Sequence, residues 1–399
     1  MRKKVYLSTF LPRTQKEYLA SKMKNFNFNS ADAFSYSILC GFSDVLGDAI
    51  DCINIAPLGA YPRYNEIAYY KGGVEKDEKV LVESVNYSTF YVYQYFSIYK
   101  NVLGALVRKG YNQPIDIIIY SINVPVLKAA IKYKNKYSPK SKIVLIVPDL
   151  LEYSLEETLA SKIKTAIIGD MRKIYDEVDG FVFLTEAMNE RVRTKHPYCI
   201  VEGIYNQKED RTVDKPDDGL KRIFYSGMLY DKFGVKTLVD AFTMTTDNKY
   251  RLQLCGVGEL EGYIKEAAQK DSRIKYLGLL SRERALQMQS EATLLVNPRT
   301  PEGEFTKYSF PSKNIEYLVS GTPVLLYELP GIPEEYYKYC YHLTADEMGA
   351  ANLYNKIEEI LHLSDDVIRI KAAEAVQFIK TQKNAKKQAE KIIKLTESL

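Results

Sequence analysis

The chain has 399 residues, with 55 Lys and Arg against 51 Asp and Glu, a formal net charge of +4 and a hydrophobic fraction of 46%. That length holds two domains with separate cores, and the composition is ordinary for a globular chain. The 3 histidines lack metal-ligand spacing, which argues against a zinc site, and the 5 cysteines show no close pairing and read as reduced core residues of a cytosolic protein.

The amino terminus, MRKKVYLSTFLPRTQKEY, begins basic like a signal peptide, but Thr14, Gln15, Lys16 and Glu17 break its apolar stretch. KVYLSTF reads instead as a first strand, and Thr9 to Gln15 then follow its carboxyl end. Further strands are expected near Lys4, Cys52, Ile115, Ile143 and Phe181, separated by helix-sized stretches, which predicts a doubly wound sheet over residues 1–206. No window reaches the ~18 uncharged apolar residues that a membrane span requires.

Tyr87 to Tyr99 packs tyrosines and phenylalanines into what reads as an amphipathic helix, and Lys132 to Lys142 carries lysines and no acid. The two together read either as core plus a solvated face, or as a peripheral contact with anionic lipid. No nucleic-acid-binding motif accompanies them. In IVLIVPDLLEY a buried strand runs into Pro148-Asp149, which places the Asp149 carboxylate at the strand's carboxyl end; a helix N-cap is the alternative. The polar run 207–219 reads as an interdomain linker.

Beyond it, RIFYSGMLYDKFGVKTLVDAF is a strand, a loop with Gly227, Lys232 and Gly234, and a helix. RLQLCGVGELEGYI repeats the pattern through Gly256 and Gly258, and IKYLGLL and ATLLVNP follow. Short apolar strands alternating with helices predict a parallel sheet over 220–370, with ligands bound beyond the carboxyl ends of its strands. The segment NPRTPEGEFTKYSFPSKNIEYLVSGTPVL then gives a loop ending in SFP and a short helix with Ile315, Leu318 and Val319 facing inward. Gly321 stops that helix and TPVL restarts as a strand. Pro311 is expected in the first helical turn, leaving the amides of Ser312 and Lys313 free to meet an anion. Glu316 shares their helix face, one turn below, where a carboxylate can accept from ribose hydroxyls. The segment therefore reads as a cradle for a nucleoside diphosphate. A last Lys/Ala-rich helix is expected over 371–399.

These motifs, SGMLYDKFGVKTLVDAF, LCGVGELEGYI, YLG and SFPSKNIEYLVSGTPVL, resemble in order and spacing the donor-binding half of glycosyltransferase family 4. FPSK and EYL look most like its bacterial surface-polysaccharide branch. The resemblance implies a GT-B fold, two Rossmann-like α/β domains facing each other across a cleft, with the last helix crossing back onto the first domain. It implies a retaining transfer of a hexose-type sugar from a UDP-, GDP- or dTDP-sugar to a hydroxyl of a glycan or lipid-linked glycan acceptor. The nucleotide sugar would be a co-substrate, with no further cofactor, in the cytoplasm or at the inner face of a membrane.

The chain departs from the family pattern at several positions. Glu316 matches the second of two family glutamates, but Tyr308 occupies the first. Met228 and Phe233 stand where the family places an arginine and a lysine, with Lys232 one residue early. Lys232 and Lys313 are therefore expected to clamp the diphosphate, with Arg299 or Lys307 in reserve and Glu302 or Glu304 reaching the sugar. Asp149 is expected to orient the acceptor, while Gly227, Gly256, Gly258, Ser309 and Ser312 complete the donor site. No Asp-x-Asp pair is present to hold a divalent ion on the donor. A non-catalytic nucleotide-sugar-binding partner and a nucleotide-sugar epimerase remain as alternatives.

Overall fold

The computed structural model describes residues 2–24, 30–111, 113–150, 171–206 and 215–399. Its packing divides the chain into two α/β units, residues 1–204 with 384–399, and residues 205–383.

Strands of the first unit are β1 (Lys3–Ser8), β2 (Ile50–Asn54), β3 (Tyr69–Tyr70), β4 (Val74–Asp77), β5 (Val80–Ser84), β6 (Tyr87–Ser88), β7 (Ile115–Tyr120), β8 (Lys142–Val147), β9 (Gly180–Phe183) and β10 (Tyr198–Ile200). Eight form one sheet in the order β10-β9-β8-β7-β1-β2-β5-β4, parallel except at the β4–β5 hairpin. The apolar run IDIIIY of β7 is buried at every position, as expected of a strand covered on both faces. The strands expected near Lys4, Cys52, Ile115, Ile143 and Phe181 are β1, β2, β7, β8 and β9. The short pair β3–β6 and the polar strand VEKD of β4 carry too little apolar pattern to be read from sequence.

The described helices of this unit begin with α1 (Lys16–Lys22), α2 (Ser30–Leu46), α3 (Tyr91–Lys109) and α4 (Val124–Tyr137). They continue with α5 (Met171–Asp176) and α6 (Met188–Val192). The aromatic segment is therefore not one helix from Tyr87: Tyr87 and Ser88 pair as β6, and α3 starts at Tyr91.

The second unit carries β11 (Lys221–Ser226), β12 (Tyr250–Cys255), β13 (Ile274–Tyr276), β14 (Leu294–Asn297), β15 (Val324–Tyr327) and β16 (Tyr341–Leu343). They form an all-parallel sheet ordered β13-β12-β11-β14-β15-β16. Around it lie α7 (Val235–Thr243), α8 (Glu261–Lys270), α9 (Arg282–Glu291), α10 (Lys313–Val319), α11 (Ala350–Leu361) and α12 (Asp365–Gln382). In α7, Val235, Leu238, Val239 and Phe242 are buried, the stripe that their spacing predicts. Each such side chain contributes roughly 1.5–3 kcal/mol when fully buried. The strand order reverses at β11: the chain steps outward through β12 to β13 and returns to β14 on the other side. Such a reversal opens a crevice at the carboxyl ends of β11 and β14.

The single carboxyl-terminal helix expected from 371 is two helices. After α12, Asn384 turns extended (ψ 160°) and its side chain accepts from the Lys387 amide, capping α13 (Ala385–Glu397). Asparagine is among the best N-caps, so it starts a new helix rather than continuing the old one. Residues 384–399 pack in the first unit against α2, through Ala389, Ile392 and Ile393, while α12 stays with the second unit. Of the expected linker 207–219, residues 207–214 lie outside the described residues.

Candidate active site

Loops after β11 and β12 are laced backbone to backbone. The Gly227 amide donates to the Cys255 carbonyl at 3.0 Å, and the Leu229 amide to that of Val257 at 2.9 Å. Gly256 has φ 135°, and a Cβ there would lie 1.8 Å from the Gly227 carbonyl oxygen. At Gly258 the same atom would lie 2.3 Å from the carbonyl oxygen of Leu229. Gly227 itself has φ 153°, and a Cβ on it would stand 2.4 Å from the Lys313 ammonium. The glycine thus opens the space that the lysine fills.

Lys313 is the first residue of α10, and two bonds fix that helix over the sheet's edge. Asn297 Nδ2, at the end of β14, donates to Asn314 Oδ1 at 2.8 Å with both residues buried. The Ser226 amide, at the end of β11, donates to the Tyr317 hydroxyl at 2.9 Å. Lys313 is thereby held across the crevice between β11 and β14. Its Nζ donates to the Tyr225 hydroxyl at 3.0 Å and lies 4.1 Å from that ring's centroid. The Tyr225 hydroxyl donates in turn to the Met228 carbonyl at 2.8 Å, so its oxygen is left to accept from the lysine. Burial pushes the Lys313 ammonium down to about 7; the neighbouring Arg299 charge pushes the same way and Glu316 opposes it.

Arg299, in the loop after β14, is buried and donates to Ser309 Oγ at 2.7 Å. Its guanidinium lies 4.5 Å from the Phe305 ring centroid and 5.7 Å from that of Phe233. Its buried Nε has no hydrogen-bond partner, and burial pushes the group down to about 10. Among the described residues neither Lys313 nor Arg299 is bonded to a carboxylate. Lys232 is exposed on a short turn, its Nζ 5.3 Å from the Phe233 centroid, so Phe233 has Lys232 and Arg299 around one ring.

Other expected residues are placed with partners that sequence did not reveal. Glu316 makes an ion pair with Arg282 at 2.7 Å. The buried Tyr308 donates to Glu304 Oε1 at 3.3 Å, tying the tyrosine to one of the two loop glutamates. Glu302 and Lys307 are exposed. Pro311 is not in the first turn: it precedes the exposed N-cap Ser312, and the Asn314 amide turns back to its carbonyl at 2.9 Å. With only 7 residues, α10 has little dipole to offer, so the charge of the site comes from side chains. Tyr225 and Arg282 were missed. Tyr225 ends the continuous buried run Ile223, Phe224, Tyr225 and reads as core, and Arg282 follows Ser281, whose hydroxyl accepts from the Arg284 amide as an ordinary N-cap.

In the first unit, Asp149 is exposed just past β8. The Tyr120 hydroxyl, at the end of β7, is pushed up by burial and then by the charges of Asp149 and Asp32. Whether Asp149 caps a helix depends on residues 151–170, outside those described. Among the described residues no group of three or more His, Cys, Asp or Glu side chains is placed to hold a metal ion.

Residues 220–362 match the family described as glycosyl transferases group 1, a little over a third of the chain. No curated protein matches. Solved structures resemble it over its whole length. Sucrose-phosphate synthase from Thermosynechococcus elongatus is 14% identical with a TM-score of 0.67, covering 99% of this chain and 98% of that one. The lipopolysaccharide outer core galactosyltransferase WaaB is 13% identical with a TM-score of 0.61, covering 99% of each. HepE from Anabaena, in complex with UDP and glucose, is 12% identical with a TM-score of 0.59, covering 100% of each. The chain has the GT-B fold. It has two Rossmann-like units, and the family match over residues 220–362 supports glycosyl transfer.

Proposed function

We propose that this protein is a retaining, metal-independent glycosyltransferase that moves a hexose-type sugar from a nucleoside-diphosphate donor to a hydroxyl of a surface-glycan acceptor. One observation carries the reading: Lys313 and Arg299 are held close at the edge of the second sheet, both partly stripped of water and neither bonded to a carboxylate among the described residues. Two cations so placed repel each other until an anion arrives, and a diphosphate supplies the missing charge. The bound UDP of HepE and the galactosyl transfer of WaaB support the same reading.

In this reading, departure of the diphosphate leaves an oxocarbenium-like sugar, and Lys313, Arg299 and the more exposed Lys232 stabilise the negative charge that develops on the leaving group. Gly227 and Gly256 let backbone approach the diphosphate. Glu316, with one oxygen on Arg282, turns the other to the ribose hydroxyls. Glu304, tied to Tyr308, takes over sugar contacts from the family glutamate that Tyr308 replaces. Asp149 orients the acceptor hydroxyl. Retention proceeds by same-face attack, the acceptor proton passing to the leaving phosphate, with no carboxylate nucleophile of the glycosidase type.

Incubating the purified protein with a panel of nucleotide sugars and following nucleotide release tests the assignment. Slow hydrolysis to free nucleotide is expected. An isomerised donor would assign an epimerase instead. Tight binding without turnover would assign a non-catalytic partner of another transferase, an alternative raised by Tyr308 in place of the family glutamate.

A further inference from the structure

We propose that Phe233 and Phe305 are positioning residues for the donor diphosphate: their ring faces hold the Arg299 guanidinium in place without cancelling its charge. The inference rests on the donor-site reading and concerns how that site keeps a cation ready. The guanidinium lies over the Phe305 ring at 4.5 Å and over the Phe233 ring at 5.7 Å. The two rings are 6.5 Å apart and stand at 72° to each other, so the cation occupies the corner between them. A cation there is attracted by the negative face of each ring. Arg299 is 8% exposed, so it has given up most of its water. A guanidinium buried that deeply is ordinarily paired with a carboxylate, which would neutralise the field that an incoming phosphate meets. Aromatic faces attract the cation and leave its charge whole.

Hydrogen bonding follows the same pattern. Arg299 Nη2 donates to Ser309 Oγ at 2.7 Å, and that hydroxyl donates to the Phe305 carbonyl at 2.9 Å. One neutral hydroxyl thus ties the guanidinium to the backbone of a ring that it lies on. The buried Nε has no hydrogen-bond partner among the described residues, which leaves a donor that the protein does not use. Backbone packing brings the rings to this place. Phe233 precedes Gly234, where φ is 73° and a Cβ would lie 1.8 Å from the Pro298 carbonyl oxygen. That contact seats the start of α7 directly on the residue before Arg299. The buried Thr306 donates to the carbonyls of Gly303 at 2.8 Å and Pro301 at 3.2 Å, which folds the loop back and presents Phe305. Both rings stay partly exposed. The Lys232 ammonium also lies 5.3 Å from the Phe233 centroid, so an effect of that ring through Lys232 has to be told apart from one through Arg299.

Calorimetric titration with whichever of UDP, GDP and dTDP binds the wild type most tightly, carried through a double-mutant cycle, tests the proposal. Phe233→Leu and Phe305→Leu keep apolar bulk but lose the ring face, and each should weaken binding about threefold to tenfold. Phe233→Tyr keeps the face and should bind within about twofold of the wild type. Arg299→Ala weakens binding by itself, and on that background the leucine changes should have no further effect, because the rings act only through the guanidinium. Should Phe233→Leu fail to fold, read as loss of a cooperative urea transition, the same cycle at Phe305 decides. Undiminished binding in both leucine variants, an equal loss with and without Arg299, or a loss in Phe233→Tyr as large as in Phe233→Leu would each overturn the proposal. The donor-site reading would survive those results on the binding of the wild type and its loss in Arg299→Ala. Failure of the wild type to bind any of the three nucleotides would instead remove the donor-site reading, and this proposal with it.

Discussion

Lys313 is the residue on which the donor site turns, and its protonation makes that testable. Its ammonium is pushed down to about 7 by burial and by Arg299, whereas an unperturbed lysine titrates near 10.4. A diphosphate favours the charged form, so the bound pKa lies above the free one. Between the two, the free protein holds a neutral amine and binding must take up a proton. Affinity is therefore full below pH 7 and falls as pH rises, by at most about tenfold per pH unit. Calorimetry of UDP binding at pH 6.5 and pH 9, in buffers of different ionisation enthalpy, reads both the slope and the proton. Lys313→Ala should remove the slope and cost roughly 1.5–3 kcal/mol of binding at pH 6.5. A slope that survives the substitution would assign the titration to another group. Glu316 admits a cleaner separation. If it accepts from the ribose, Glu316→Gln weakens binding of UDP but leaves its 2′,3′-dideoxy analogue nearly untouched. Equal losses for both would mean that the carboxylate serves only to hold Arg282, 2.7 Å away.

Among the elements, the glycine loops after β11 and β12 are the least tolerant of change. Alanine at Gly256 would put its Cβ 1.8 Å from the Gly227 carbonyl oxygen, at a φ of 135° that side chains rarely adopt. The obstacle is backbone, and that backbone faces Lys313, so relief must displace the site. Gly256→Ala should destabilise the protein by roughly 1–3 kcal/mol, read as a lower denaturant midpoint, and should weaken UDP binding. An unchanged midpoint and affinity would show that the two loops slide apart freely. These loops were legible in sequence because glycine has few reasons to recur between an apolar strand and a helix. Lys313 and Glu316 were legible for a similar reason, their spacing along one helix. Partners contributed by distant segments were not: Tyr225 is 88 residues from Lys313, and Arg282 lies on another helix. Chain spacing carries no information about such pairs. The break at Asn384 was hidden differently, since one capping residue inside a Lys/Ala-rich run changes the path without changing the composition.

At the scale of the whole molecule, the two parallel sheets were readable because buried strands such as β7 and β8 are continuous apolar runs, while the hairpin of β4 and β5 at the sheet's edge was not, its outer strand being polar. The same architecture bears on how the leaving diphosphate is neutralised. A divalent ion would do so by bridging phosphate oxygens, and it would need carboxylates to hold it. The crevice between β11 and β14 instead presents Lys313 and Arg299, with Lys232 at its margin beside Phe233. Arg299 is held in place before the donor arrives and Lys313 is positioned to take up its proton on binding, so little reorganisation of the protein is needed as negative charge develops. Donor turnover should therefore persist in excess EDTA, and added magnesium should alter it only modestly, through product release. Following nucleotide release with and without chelator checks this. Complete loss on chelation, restored by manganese or magnesium, would remove the lysines and Arg299 from the role of clamp and return them to that of a structural cationic cluster.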